Sequence, residues 1–154
     1  MGEGKSKTIL FVCTGNTCRS PMAVGFLRKL AGPDAYKILS AGTAAAEGVQ
    51  PSLYAKEVMR EEGIDISDHR SKMLDWDLLE KADEVLVMAE SHRRQITDWF
   101  KSCAKKVRLL REFDPVRNDT DYPNIPDPIG LGKDAYIKCK DMIKRSLEWA
   151  IKEL

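Results

Sequence analysis

Four short apolar runs recur along the chain, and a longer stretch with helical spacing follows each of them. The runs are TILFV (Thr8–Val12), YKILSAG (Tyr36–Gly42), EVLVM (Glu84–Met88) and KVRLL (Lys106–Leu110). All four read as strands, and TILFV and EVLVM as strands buried on both faces, TILFV being a continuous apolar run of β-formers. Ser20 and Pro21 carry a helix start, with serine as cap and proline at the first helical position, and AGPD (Ala31–Asp34) carries its stop. Pro51–Gly63 opens on proline and closes on glycine, which predicts a helix with Leu53, Val58 and Met59 inward. MLDWDLLEKA (Met73–Ala82) reads as a short helix and ESHRRQITDWF (Glu90–Phe100) as a longer one. In the last helix, from near Lys133, residues Tyr136, Cys139, Ile143, Leu147, Ala150 and Leu154 form one apolar stripe. Alternation of this kind predicts an α/β fold: a single domain with a four-stranded parallel sheet and helices on both faces. Ligands in such folds bind beyond the carboxyl ends of the strands.

The 154 residues suffice for one closed core. Twenty-five basic and 24 acidic residues give a net charge of +1, which does not suggest a nucleic-acid or anionic-membrane partner. No apolar run approaches the roughly 20 residues a membrane span needs. Residues 1–7, MGEGKSK, are polar and read as a flexible leader rather than an export signal, leaving residues 8–154 as the domain. Four cysteines without an export signal read as free thiols in a cytoplasmic protein.

The loop CTGNTCRS, Cys13–Ser20, joins the first strand to the first helix. It is placed to hold an anion, because a helix N-terminus presents unpaired N–H groups and a positive dipole end. The same N-terminus, with Arg19 beside it, lowers a thiol pKa, so Cys13 is expected to be largely thiolate near neutral pH. Arg19 supplies a planar fork that matches two phosphate oxygens. Gly15 and Asn16 tolerate the left-handed backbone that a tight nest of N–H groups needs. Thiolate, cradle and clamp together describe attack on a phosphoryl group. A zinc site is the competing reading of Cys13 and Cys18, but Cys103 and Cys139 stand alone, so four soft ligands do not converge. The expectation is no metal and no cofactor.

VCTGNTCRSPMA resembles the Cys-x5-Arg-Ser-Pro loop of the low-molecular-weight protein-tyrosine-phosphatase family. SAGT (Ser40–Thr43), DHRSK (Asp68–Lys72) and DPIG (Asp127–Gly130) match further family landmarks in order, so the resemblance runs from about Thr8 to Leu154. It implies that Cys13 is the nucleophile, forming a cysteinyl-phosphate, and that Arg19 binds the equatorial oxygens. Thr14, Gly15, Asn16, Thr17, Cys18 and Ser20 would complete the substrate-binding loop, with Ser20 donating a hydrogen bond to the thiolate. Asn16, Ser40 and His69 would support the loop. Asp127 would be the general acid, distinguished from Asp114, Asp119 and Asp121, which read as solvated turn residues, by the prolines on both sides of it. It lies in Glu112–Gly132, an irregular segment whose prolines suggest an ordered, functional loop. His92 has no match and reads as a solvated helix residue. Cys18 either packs under the loop or pairs with Cys13 under peroxide.

Partners implied by the resemblance are phosphorylated proteins, met as a monomer or weak dimer. CTGNTCRSP itself resembles the bacterial protein-arginine phosphatase branch. Thr17 stands where tyrosine-directed members usually carry Ile or Leu, and Ile129 and TAAAEG (Thr43–Gly48) stand where they often carry aromatics. Phosphoarginine is therefore the favoured substrate, with phosphotyrosine as the alternative. Arsenate reduction, which shares the fold and loop, fits less well because Cys103 and Cys139 lie 36 residues apart. A non-catalytic phospho-residue binding module is the third alternative.

Overall fold

The computed structural model describes residues 6–154. Of the expected leader, residues 1–5 lie outside the described residues; the carbonyl of Lys7 already accepts from the Lys37 amide. Four strands form one parallel sheet in the order β2-β1-β3-β4. They are β1 (Thr8–Cys13), β2 (Lys37–Gly42), β3 (Glu84–Val87) and β4 (Val107–Leu109). Five α-helices connect or flank them: α1 (Arg19–Ala31), α2 (Leu53–Glu61), α3 (Trp76–Lys81), α4 (Glu90–Trp99) and α5 (Lys133–Ala150). Short 3₁₀ turns precede and follow β4, at Lys101–Lys106 and Leu110–Phe113.

The continuous apolar runs have their reason in two cores, one on each face of the sheet. Ile9, Phe11 and Cys13 point to the face covered by α1, α2 and α5, where they meet Met22, Phe26, Met59, Ile143 and Leu147. Leu10 and Val12 point to the other face, where Leu79 of α3, Ile96 of α4 and Cys103 pack with Val85 and Val87. The stripe expected of α5 is buried from Tyr136 to Ala150, and Leu154 packs against its edge.

Two local expectations change. Leu53 is 64% exposed, because the inward face fixed by Val58 and Met59 repeats three to four residues earlier at Ala55. Ser20 does not cap α1. Cys18 occupies the cap position without a side-chain cap, and Ser20 lies inside the first turn with its hydroxyl turned into the loop.

β1 and β2 end in register, Cys13 opposite Gly42. Beyond that point the carbonyls of Cys13 and Thr14 accept from the amides of Thr43 and Ala44 at 2.9 and 3.0 Å. A Cβ at Gly42 would fall far inside contact distance of the Thr14 carbonyl oxygen and 2.9 Å from Ala45 Cβ. Backbone cannot step aside cheaply, so Gly42→Ala is expected to destabilise the fold by about 1–3 kcal/mol, the usual range for overpacking. A urea midpoint unchanged from wild type would contradict this.

Candidate active site

The loop after β1 is organised around Asn16. Asn16 takes a left-handed backbone at φ 59°, whereas Gly15 does not, so asparagine alone of the expected pair meets that demand. Every polar group of Asn16 is used. Its amide N–H points at Cys13 Sγ at 3.2 Å, and its carbonyl accepts from His69 Nε2–H at 2.7 Å. Its side-chain oxygen accepts from the Lys72 amide at 2.9 Å. Its side-chain NH₂ donates to Ser40 Oγ at 3.1 Å and to Ser20 Oγ at 2.6 Å. Ser20 Oγ thus already accepts one bond, which leaves its proton for Cys13 Sγ, 2.9 Å away. The expected supporters Ser40 and His69 are therefore both joined to the loop through one residue. His69 is half-buried; burial first, and Arg70 in addition, lower its pKa against the opposing bond to Asn16.

Cys13 is buried at the end of β1. Burial pushes its thiol up, while Arg19, the Ser20 hydroxyl and the amides of Ser20 and Asn16 pull it down. Burial prevails, so the thiol lies above its ordinary range, contrary to the expectation from the helix N-terminus and Arg19 together. The geometry that gathers the donors also excludes water, and desolvation disfavours the charged form.

Arg19 is only 4% exposed. Its Nη1 donates to the Ile125 carbonyl at 3.0 Å, its Nη2 to Thr14 Oγ1 at 3.3 Å, and Nη2 lies 3.3 Å from Asp127 Oδ2. Cys13, Gly15, Asn16, Thr17, Cys18, Arg19, Asp127 and Ile129 line one small slot. Thr17 is half-buried there, and its carbonyl accepts from the Ser52 amide at 2.9 Å. Cys18 Sγ lies 3.3 Å from Ser52 Oγ and 3.5 Å from the Tyr136 hydroxyl, and all four cysteines are free thiols. A larger cleft lies between α1 and Asp65–His69, but the described residues that line it include no cysteine.

The segment that carries Asp127 is held on two sides. The Ile125 amide donates to the Met88 carbonyl at 2.8 Å, and Asn124 Oδ1 accepts from the Glu90 amide at 2.8 Å. Arg111, fully buried, pairs with Asp119 and donates to the Asn124 carbonyl at 3.1 Å. That guanidinium holds Asp119 down to about 2. Asp114 is no solvated turn residue: it is fully buried, receiving Arg145 Nε at 2.9 Å and the Val116 amide at 2.8 Å. Asp127 alone of the four aspartates lines the slot, 38% exposed, with Oδ1 accepting from the Ile129 amide at 3.1 Å.

A strand-to-helix loop with thiol, guanidinium and carboxylate around one slot is also where a family model matches. The model described as low molecular weight phosphotyrosine protein phosphatase covers residues 8–154. The chain belongs to this family. As a member of this phosphatase family it is an enzyme, a hydrolase. Among its curated relatives is the protein-arginine-phosphatase of Geobacillus stearothermophilus, 38% identical over 140 residues, covering 91% of this chain and 90% of the relative. Arsenate reductase 2 of Staphylococcus epidermidis is 35% identical over 142 residues, covering 92% and 94%. A solved structure of the YwlE arginine phosphatase, a cysteine-to-serine mutant with a phosphorylated active-site serine, superposes with a TM-score of 0.86. It is 32% identical and covers 96% of this chain and 95% of the other.

One residue bonded to this loop escapes sequence reasoning. His92 is 2% exposed, not solvated, and its Nε2 lies 2.8 Å from Thr14 Oγ1. The available signal was position: it sits in the first turn after β3, at the carboxyl end of the sheet, where ligands of such folds bind.

Proposed function

We propose that this phosphatase hydrolyses phosphorylated protein side chains through a cysteinyl-phosphate, with phosphoarginine as preferred substrate. One observation carries the reading: Cys13, Arg19 and Asp127 converge on a single slot. In the first step the Cys13 thiol passes its proton to a phosphoryl oxygen of the substrate, the resulting thiolate attacks phosphorus, and the bond from phosphorus to the side-chain atom breaks. Protonated Asp127 gives its proton to the departing nitrogen or oxygen. Arg19 and the loop amides stabilise the charge that spreads over the equatorial oxygens. In the second step Asp127 takes a proton from water, water attacks phosphorus, and Cys13 leaves as a thiolate held by Ser20. Inorganic phosphate is released. The phosphorylated serine in the related mutant supports a covalent intermediate at this position.

Substrate preference rests on the slot's walls. Thr17 and Ile129 line it, and among the described residues no aromatic side chain does. A phenol ring gains most from apolar, stacking walls. Phosphoarginine carries N–H groups that are costly to bury without acceptors, and Thr17 and Asp127 supply oxygen acceptors. Arsenate reduction needs thiols that can relay oxidation, yet Cys103 and Cys139 lie in separate cores on opposite faces of the sheet. Among the described residues no helix is long and apolar enough to cross a membrane. We take residues 8–154 as the phosphatase domain, cytoplasmic, and working as a monomer or weak dimer.

Side-by-side kinetics on phosphoarginine and phosphotyrosine peptides test the preference. Thr17→Ile is expected to lower kcat/KM for phosphoarginine by about tenfold while sparing or raising that for phosphotyrosine, a shift one pocket contact can supply. A wild type faster on phosphotyrosine would transfer the reading to that substrate, and equal losses on both would make Thr17 a packing residue.

A further inference from the structure

We infer that His92 is a positioning residue, whose Nε2–H fixes the Thr14 hydroxyl and through it the orientation of the Arg19 guanidinium in the slot. The inference rests on the proposed role of Arg19 as the phosphoryl clamp.

Thr14 is exposed, and an exposed threonine hydroxyl ordinarily rotates among acceptors. Here its oxygen lies 2.8 Å from His92 Nε2 and 3.3 Å from Arg19 Nη2. The imidazole is neutral near pH 7, because burial, and then the charge of Arg19, hold it down to about 4 against the opposing pull of Asp127. A neutral ring has one N–H, so its tautomer decides who donates. His92 Nδ1 is buried and has no hydrogen-bond partner among the described residues. If Nδ1 carried the proton, a buried N–H would be orphaned, which is rarer than an orphaned acceptor. We therefore assign the proton to Nε2. Arg19 and His92 then both donate to Thr14 Oγ1 and occupy both of its lone pairs.

The consequence falls on Arg19. Of its five N–H donors, one is committed to the Ile125 carbonyl and one to this pinned hydroxyl, which fixes the plane of the fork. The remaining three are left for the anion and for Asp127, which lies 3.3 Å away. Without the histidine donor, Thr14 is free to rotate, and the fork loses one of its two fixed neutral acceptors. Bidentate recognition of a phosphoryl group depends on that plane, because both N–H bonds must point together.

The experiment compares His92→Phe, which keeps a ring and removes the donor, with His92→Gln, whose amide restores an N–H near the Nε2 position. Inhibition by tungstate, kcat and KM for p-nitrophenyl phosphate, and thermal midpoints are measured for both and for Arg19→Ala. The expected result is an inhibition constant for tungstate about tenfold weaker in His92→Phe, the size of one charge-assisted hydrogen bond. kcat/KM should fall by a similar factor, and His92→Gln should recover most of both. Adding His92→Phe to Arg19→Ala should change anion affinity little further, because the two act on one fork. Wild-type anion affinity and turnover in His92→Phe, alongside a large loss in Arg19→Ala, would overturn the inference and leave the clamp standing. A His92→Gln variant as impaired as His92→Phe in turnover and thermal midpoint alike would reduce His92 to packing. Undiminished tungstate binding in Arg19→Ala would remove the clamp itself, and the inference with it.

Discussion

Cys13→Ser is expected to keep the fold and lose turnover on p-nitrophenyl phosphate by on the order of 10⁴-fold or more, as nucleophile removals do. The fold should survive because the change substitutes oxygen for sulfur at a site whose partners are Ser20 Oγ at 2.9 Å and the Asn16 amide at 3.2 Å. Both partners bond a hydroxyl as readily as a thiol. Activity should not survive, because a serine hydroxyl does not ionise near neutrality and the groups that bond it, Ser20 Oγ and the Asn16 amide, are not bases. His69 donates to the Asn16 carbonyl, and His92 faces Thr14. Burial raises even the Cys13 thiol above its ordinary range. The same burial would suppress a serine alkoxide far more. A phosphoryl group that does reach the serine should stay there, since an alkoxide is a poorer leaving group than a thiolate. Mass spectrometry after long incubation with substrate should therefore find a slow, stable adduct at position 13. Substantial steady-state turnover by Cys13→Ser would sink the covalent mechanism.

The architecture was readable because it is written in local patterns. Continuous apolar runs separated by capped helical stretches specify buried parallel strands, and β1 and β3 carry them without interruption. The loop was readable because its chemistry is contiguous: thiol, asparagine, arginine and serine all fall between Cys13 and Ser20. What escaped depends on partners far along the chain. His92 meets Thr14 across 78 residues, and no local pattern marks that meeting. Asp114 looked like a turn residue because its partner Arg145 lies 31 residues away on α5. Leu53 misled because a proline-led start does not say where the helical phase begins. Cys13 misled for an energetic reason: the sequence displays the charges that lower a thiol pKa, while the burial that raises it appears only in the folded core.

Asp127→Asn is expected to slow the first step by about 10²–10⁴-fold on substrates with poor leaving groups, the usual contribution of a positioned acid. The loss should be much smaller for p-nitrophenyl phosphate, whose phenolate departs with little help. The structure argues for Asp127 over its neighbours by elimination as well as by position. Asp119 is tied to Arg111 and held near 2, so it stays a carboxylate and has no proton to give. Asp114 is enclosed by Arg145 and the Val116 amide. Asp127 reaches the slot because Arg111 and the Ile125–Met88 bond hold the preceding chain in place. Its carboxylate, 3.3 Å from Arg19, is partly open to water, as a group must be that first gives a proton to a leaving atom and then takes one from water. The asparagine variant keeps the hydrogen-bonding shape and removes the proton. Burst kinetics separate the two steps: phosphoenzyme formation should slow with poor leaving groups, while p-nitrophenol release in the first turnover stays fast and hydrolysis lags. If Asp121→Asn gives this leaving-group dependence and Asp127→Asn does not, the acid is misassigned.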